Sequence, residues 1–566
     1  MHWNLHAWGG SRENGGKARS CTTRGRSIDV VAGQTRPWWQ GAVIYQIYPR
    51  SFQDTNSDGI GDLRGILQRL DYLAWLGVDA IWISPFFPSP MADFGYDISN
   101  YTDVDPRFGT LQDFDELIAA AQARGLRVIL DLVPNHTSDQ HPWFQAARSS
   151  RTHPQRDWYI WCDPAPDGGP PNNWLSVFGG SAWEWDEATG QYYLHTFLRE
   201  QPDLNWRNPA VRQAMYDVIR FWLDRGVAGF RLDAIWFLMK DPLLRDNPPN
   251  PYYRPDAEYP HQQLLPVYTS DLPAIHPILA ELRAVVDQYD ARVLIGEIYL
   301  PPGRLVDYFG CPHAPELHLP YNFALLQLPW DPREIAAAVD TYEALVPDHG
   351  WPSWVLGNHD RPRLASRVGV EQARVAAMLL LTLRGTSTIY YGEEIGMVDV
   401  AIPAERLQDP IAFTLGRQFS RDPARTPMQW DATPHAGFTT GEPWLPVAPD
   451  YRERNVAQQR ADQRSLLSLY RRLLELRRAE PALVIGEYVP LTVTEQVLAY
   501  RRSLNNRHFA IVLNFSGVQQ TVQFRFPLQG SVVLSTELDR EGDAMRAGKC
   551  FLRPHEGVVV QLTSLS

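Results

Sequence analysis

Apolar positions along the chain fall into two alternating patterns from Trp38 onward. Short, densely apolar runs are followed by stretches in which apolar residues recur every three or four positions, the marks of buried strands and amphipathic helices. Strands are predicted at Ala42–Tyr48, Ala80–Ser84, Arg127–Val133, Gly229–Ala234, Val293–Ile298, Leu317–Leu326, Trp354–Asn358 and Thr386–Tyr391. Helices are predicted between them at Leu63–Leu76, Leu111–Arg124, Val211–Leu223, Ile278–Gln288, Arg333–Leu345 and Gln372–Leu383, with a last one at Leu466–Arg478. In Val211–Leu223, for example, Val211, Met215, Val218 and Trp222 form one stripe. About eight β–α units in series point to an α/β protein built on a (β/α)8 TIM barrel rather than an open doubly wound sheet. No glycine-rich dinucleotide loop follows the first strand, which weighs against the open sheet too.

Three long excursions interrupt the alternation, at Pro134–Trp206, Trp236–Ala274 and Gly392–Asp462. Each follows a strand C-terminus, the barrel face that carries chemistry, and together they should wall a deep pocket. After Pro481 the pattern shifts to period two, as in Thr521–Phe526, Val532–Leu534 and Val558–Leu562, which predicts a small antiparallel β-sandwich. The expected organisation is a barrel over residues 37–134 and 207–483, an inserted B domain at 135–206 and the sandwich at 484–566. Residues 1–36 read as a disordered N-terminal extension.

Composition changes this picture in few places. With 53 Lys and Arg against 65 Asp and Glu, the net charge of −12 argues against nucleic acid or an anionic membrane as partner. No apolar run is long enough to cross a bilayer, and the first 36 residues lack the apolar core of a secretory signal. Cys21, Cys162, Cys311 and Cys550 are widely separated and expected as free thiols. A cytoplasmic monomer or weak homo-oligomer is the expectation. The 20 Trp and 24 Tyr suit either a well-filled core or platforms for sugar rings.

The chemistry gathers at the strand ends. Asp233, Glu297 and Asp360 close the fourth, fifth and seventh strands, and in a barrel those ends converge. Three carboxylates buried together are costly unless function needs them. A retaining glycosidase needs one carboxylate to attack the anomeric carbon and a nearby carboxyl to protonate the leaving oxygen. A third charge can stabilise the oxocarbenium-like transition state. Arg231 lies two residues before Asp233 and so projects from the same side of its strand; it is expected to hold Asp233 ionised, while burial raises Glu297. His136 and His359 stand at the same rim.

The blocks DLVPNHTS at Asp131–Ser138, GFRLDA at Gly229–Ala234, IGEIY at Ile295–Tyr299 and GNHD at Gly357–Asp360 resemble the signature regions of glycoside hydrolase family 13, the α-amylase family. QPDLN at Gln201–Asn205 resembles the additional motif of its α-glucosidase and oligo-1,6-glucosidase branch. The resemblance implies that Asp233 is the nucleophile, Glu297 the general acid/base and Asp360 the transition-state stabiliser. It also implies a terminal-glucose pocket of Asp93, Tyr96, His136, Phe178, Phe197, Gln201, Arg231, His359 and Arg425, with Asp93 and Arg425 paired across its floor. In that branch a small residue after the nucleophile accompanies α-1,4 cleavage and Val accompanies α-1,6; here it is Ala234. The implied activity is exo-acting release of glucose from small α-glucosides without an organic cofactor. An α-1,6-glucosidase, or a trehalose- or sucrose-isomerising transglucosylase, is the alternative, although the Arg-rich loop motif of the family's sucrose isomerases is absent. A silent, transporter-associated binding subunit is remote, because all three carboxylates are present.

One further motif suggests a structural cation, Ca2+ or Mg2+. DTNSDGIGD at Asp54–Asp62 spaces oxygens from Asp54, Asn56, Asp58, the Ile60 carbonyl and Asp62 as a calcium loop does, with Gly59 at the sharp turn. The resembling branch carries a divalent ion there. Gly65 at the twelfth position excludes an EF-hand.

Overall fold

The computed structural model describes residues 36–255 and 258–564, so the expected extension at 1–36 lies, but for Arg36, outside the described residues. Eight parallel strands form the core: β1 Val43–Ile47, β2 Ala80–Ile83, β3 Arg127–Leu132, β4 Gly229–Leu232, β5 Val293–Gly296, β6 Leu319–Pro320, β7 Ser353–Val355 and β8 Thr386–Tyr390. Their hydrogen-bonded order runs β6-β5-β4-β3-β2-β1-β8-β7, a near-closed barrel in which strand order follows the chain. Nearly every strand residue is buried because helices cover the outer face and side chains fill the inner one, which is why the strands read as continuous apolar runs.

Two predicted elements differ. The strand expected over Leu317–Leu326 pairs only at Leu319 and Pro320. Pro320 has no N–H to give a ladder, and Asn322 accepts the Ala324 N–H (3.0 Å) to start the short helix Ala324–Gln327. The seam towards β7 is bridged instead by Ser353 Oγ donating to the Pro320 carbonyl at 2.8 Å. The helix expected over Leu63–Leu76 is broken at Arg69 into Leu63–Gln68 and Leu70–Leu76. The Arg69 guanidinium is held by Gln53 Oε1 and lies over the Trp430 ring at 4.1 Å.

The first excursion contains a three-stranded antiparallel sheet, Trp161–Cys162, Trp183–Asp186 and Gln191–Leu194, and returns to the barrel at the helix Pro209–Asp224. The C-terminal region holds a six-stranded antiparallel sheet facing a two-stranded one. Alternation decides its two faces: Leu498, Tyr500, Phe509, Ile511 and Leu513 join the barrel's core, while Val497, Ala499, Ala510 and Val512 pack with Val522, Leu552 and Val560 into a core of their own. Cys162 and Cys550 are free as expected, but Cys311 is disulfide-bonded, which corrects the expectation for that residue. Spacing along the chain says little about which cysteines a fold brings together. No helix among the described residues is long and apolar enough to cross a membrane.

Candidate active site

Beyond the C-terminal ends of β2 to β8 the excursions enclose a pocket of about 660 Å³, mouth included. Its lining contains Asp93, Tyr96, His136, Phe178, Phe197, Asp233, Glu297, His359 and Asp360, nine of the twelve residues expected from the sequence. Gln201, Arg231 and Arg425 stand behind that lining and hold it in place. Trp236, Tyr259, Tyr299, Arg361, Ile411 and Arg421 complete the wall and were not anticipated. Trp236, Tyr259, Ile411 and Arg421 come from excursions with no periodicity, where only the fold tells which side chain turns inward, and Tyr299 and Arg361 from the turns that follow β5 and β7.

Arg231 is the centre of the charge arrangement. Its Nη1 donates to Asp131 Oδ1 at 2.8 Å and to Asp233 Oδ1 at 2.7 Å, and its Nη2 lies 3.0 Å from Glu297 Oε2. The two carboxylates expected to act on the substrate are thus tethered to one guanidinium. Ala234 adopts φ +47, a left-handed turn unfavourable for a residue with a Cβ. That turn ends β4 just after Asp233 and aims the Ala234 N–H at Glu297 Oε2 at 2.9 Å.

Burial pushes Asp233 up to about 7, with Arg231 opposing and Asp131 and Asp360 adding to the rise. Burial likewise pushes Glu297 up to about 8 against Arg231, helped by Asp233 and Asp360. Glu297 is raised as expected. Asp233 is not held low: one cation is shared among Asp131, Asp233 and Glu297 and cannot offset the desolvation of each. Asp131, with the Trp82 and Tyr96 side chains also bonded to it, is a buried site residue that the DLVPNH block contained without being singled out.

Asp360 is different. Burial raises it, but His359, Arg421 and Arg425 together bring it below the usual carboxylate range. Arg425 Nη2 reaches Asp360 Oδ1 at 3.0 Å while its Nε donates to the His359 carbonyl at 2.8 Å. The expected Asp93–Arg425 pair is therefore corrected. Asp93 is held by Arg421, whose Nη2 donates to Asp93 Oδ1 at 2.7 Å and also to Asp409 Oδ1 at 2.7 Å. The 3-10 turn Asp422–Ala424 separates the two arginines and sets them at different positions, Arg421 on the pocket and Arg425 behind it.

The histidines are neutral. Burial brings His359 down to about 3 and His136 to about 4. Gln46 donates to His359 Nδ1 at 2.8 Å, which leaves the proton on Nε2, facing the Tyr96 hydroxyl at 2.8 Å. The hydroxyl in turn donates to Asp131 at 3.0 Å, so the Tyr96 ring, parallel to His359 at 5.4 Å, is fixed on the pocket wall. Phe178 and Phe197, also in the lining, meet edge to face at 6.0 Å.

The Asp54–Asp62 loop has the donor types for a hard cation, with its side-chain oxygens engaged in the loop's own hydrogen bonds. Among the described residues no three Asp, Glu, His or Cys side chains converge as metal ligands. Asp54 accepts the N–H groups of Asn56, Ser57 and Gly59, and Asp62 caps the following helix at the Gly65 N–H while also holding Thr55.

Residues 46–486 match the model of the alpha-amylase catalytic domain. The chain belongs to the α-amylase family, glycoside hydrolase family 13. It is an enzyme, a glycoside hydrolase of the branch that holds the α-glucosidases and oligo-1,6-glucosidases. A probable alpha-glucosidase of Rhizobium meliloti is 46% identical over 537 residues, covering 92% of this chain and 97% of its own length. An oligo-1,6-glucosidase of Parageobacillus thermoglucosidasius is 41% identical over 530 residues, 87% and 92% of the two chains. Among solved structures, an alpha-glucosyl transfer enzyme superposes with a TM-score of 0.87 at 44% identity, covering 93% of this chain and all of that one. A trehalulose synthase from Pseudomonas mesoacidophila MX-45 superposes at 0.85 with 36% identity, covering 94% and 100%.

Proposed function

We propose that this family member is a retaining exo-α-glucosidase that releases terminal glucose from maltose and other short α-1,4-linked glucosides. The observation that carries this reading is Arg231 bridging Asp233 and Glu297 beside a pocket whose wall also carries the Asp93–Arg421 ion pair. In this reading that pair forms a blind end, which fits one terminal sugar and stops a chain from running through.

In the proposed mechanism the ionised Asp233 attacks the anomeric carbon as the glycosidic bond breaks, and Glu297 gives its proton to the departing oxygen. A glucosyl ester on Asp233 results. Water, deprotonated by Glu297, then attacks the same carbon, frees glucose with its configuration retained and restores both groups. Asp360, kept ionised by its arginines, stabilises the positive charge that develops on the ring in both steps. Asp93 and Arg421 grip the hydroxyls far from the bond being broken, and Tyr96, Phe178 and Phe197 face the ring. Ala234 beside the nucleophile supports the α-1,4 preference.

Transglucosylation is a second reading, favoured by the likeness to a structure named for glucosyl transfer. A sugar in place of water would then accept the glucosyl group from the same ester. Incubation with maltose, isomaltose, sucrose and trehalose, with products and anomeric form followed by NMR, tests both. α-Glucose as the first product from maltose supports the reading; β-glucose as the first product, or no turnover of any of the four, overturns it. A cation at Asp54, Asn56, Asp58, the Ile60 carbonyl and Asp62 is part of the proposal; binding would draw these donors together in place of some of the loop's hydrogen bonds. We also assign the enzyme to the cytoplasm as a monomer or weak homo-oligomer, to be checked by fractionation and sedimentation.

A further inference from the structure

Arg361 stands out among the charged groups of the pocket. It follows Asp360 directly, lines the cavity and is 8% exposed. Its Nε and Nη2 are buried without a hydrogen-bond partner, and among the described residues it makes no ion pair. By contrast, Arg421, the other arginine of the lining, is engaged with Asp93, Asp360 and Asp409, and Arg231 behind the lining meets three carboxylates through its Nη groups. The nearby carboxylates are committed, Asp360 to Arg421 and Arg425, and Glu297 to Arg231 and the Ala234 N–H. What positions Arg361 is aromatic: its guanidinium lies over the Tyr299 ring at 5.7 Å, and Tyr299 is itself stacked on Phe323 at 4.4 Å with its hydroxyl bonded to Asn358. The guanidinium is thus aimed while its donors stay unspent. Buried donors without acceptors are costly, and in a binding site such a deficit is met by the ligand.

Its location says which part of the ligand. The terminal glucose has its donors and acceptors on Asp93, His136, His359 and Arg421. Arg361 instead neighbours Tyr299, Trp236, whose ring meets Tyr299 at 5.7 Å, and Tyr259, whose hydroxyl feels the Arg361 charge, a largely aromatic surface that offers a second ring few other charged groups. We infer that Arg361 donates to the hydroxyl oxygens of the leaving-group sugar, and so makes the enzyme select glucosides whose departing half is itself a sugar over those with an aryl aglycone. This rests on the α-glucosidase reading above. Because an acceptor enters where the leaving group departs, the same residue would favour sugar over water in glucosyl transfer.

The test compares maltose with 4-nitrophenyl α-glucoside, whose leaving group has no hydroxyls for a guanidinium to hold. In Arg361→Gln the ratio of kcat/KM for maltose to that for the aryl glucoside should fall about 10-fold or more, as expected for losing hydrogen bonds from a charged donor. Arg361→Lys should recover part of the ratio, and Arg361→Gln should lower the yield of transfer products from concentrated maltose. The aryl glucoside also reports whether each variant is folded. An unchanged ratio, with both activities kept or lowered in parallel, overturns the inference and leaves the α-glucosidase reading standing. If the wild-type enzyme cleaves neither substrate, that reading fails and the inference goes with it.

Discussion

At the scale of single residues, the distribution of protons decides activity. The proposed reaction needs Asp233 ionised and Glu297 protonated, and the two are pushed up to about 7 and about 8. Activity should therefore rise as pH passes through the lower value, where the nucleophile loses its proton, and fall beyond the higher one, where the acid loses its own. The profile of kcat/KM should be a narrow bell near neutrality. Glu297→Gln should abolish the alkaline limb and lower turnover at least about 10²-fold while substrate still binds; a near-normal rate in that variant would remove Glu297 from the role. Arg421→Gln leaves Asp93 without its closest cation in a buried place, and should raise KM for maltose about 10-fold or more, measured by initial rates.

At the scale of elements, what could be read from the sequence depended on how regular each stretch was. The strands carrying Asp233, Glu297 and Asp360 were legible because burial on both faces writes an unbroken apolar run that ends in a carboxylate. The family resemblance placed nine pocket residues by number, five of them inside the motif blocks. Trp236 and Tyr259 could not be singled out in the same way, since irregular segments carry no period to show which side chain faces inward, and Tyr299 and Arg361 stood at the edge of two motif blocks with nothing in the sequence to mark them as pocket wall. Arg421 and Arg425 illustrate the limit: both stand in one short block, and only the backbone turn between them decides which meets Asp93. Two-residue β6 illustrates another, because a local proline and asparagine outweighed an apolar run that looked like a strand. The Asp54–Asp62 loop makes its prediction at this scale. If a cation is bound there, a chelator should lower the thermal midpoint by several degrees and restored Ca2+ or Mg2+ should recover it. An unchanged midpoint would make this an Asp-Gly turn closed by its own hydrogen bonds.

At the scale of the molecule, the barrel and the C-terminal sheet are a single packing problem. Tyr500 and Phe509 are completely buried in the barrel's core cluster although they belong to the C-terminal strands. Tyr500 lies in hydrogen-bond reach of Thr382, on the helix that precedes β8, and Arg477 and Arg502 give their guanidinium protons to backbone carbonyls along the junction. The sheet therefore finishes one side of the catalytic unit. Phe509→Ala should cost about 3–5 kcal/mol in chemical denaturation, with loss of activity following the same transition.

On the proposed function the ion pair of Asp93 and Arg421 makes the pocket a cul-de-sac, and that shape has a consequence for traffic. Glucose released from Asp233 has no back exit; it must retreat along the route by which the next substrate arrives. Free glucose should thus inhibit maltose hydrolysis competitively, raising the apparent KM with kcat unchanged, and washing it away should restore the initial rate at once.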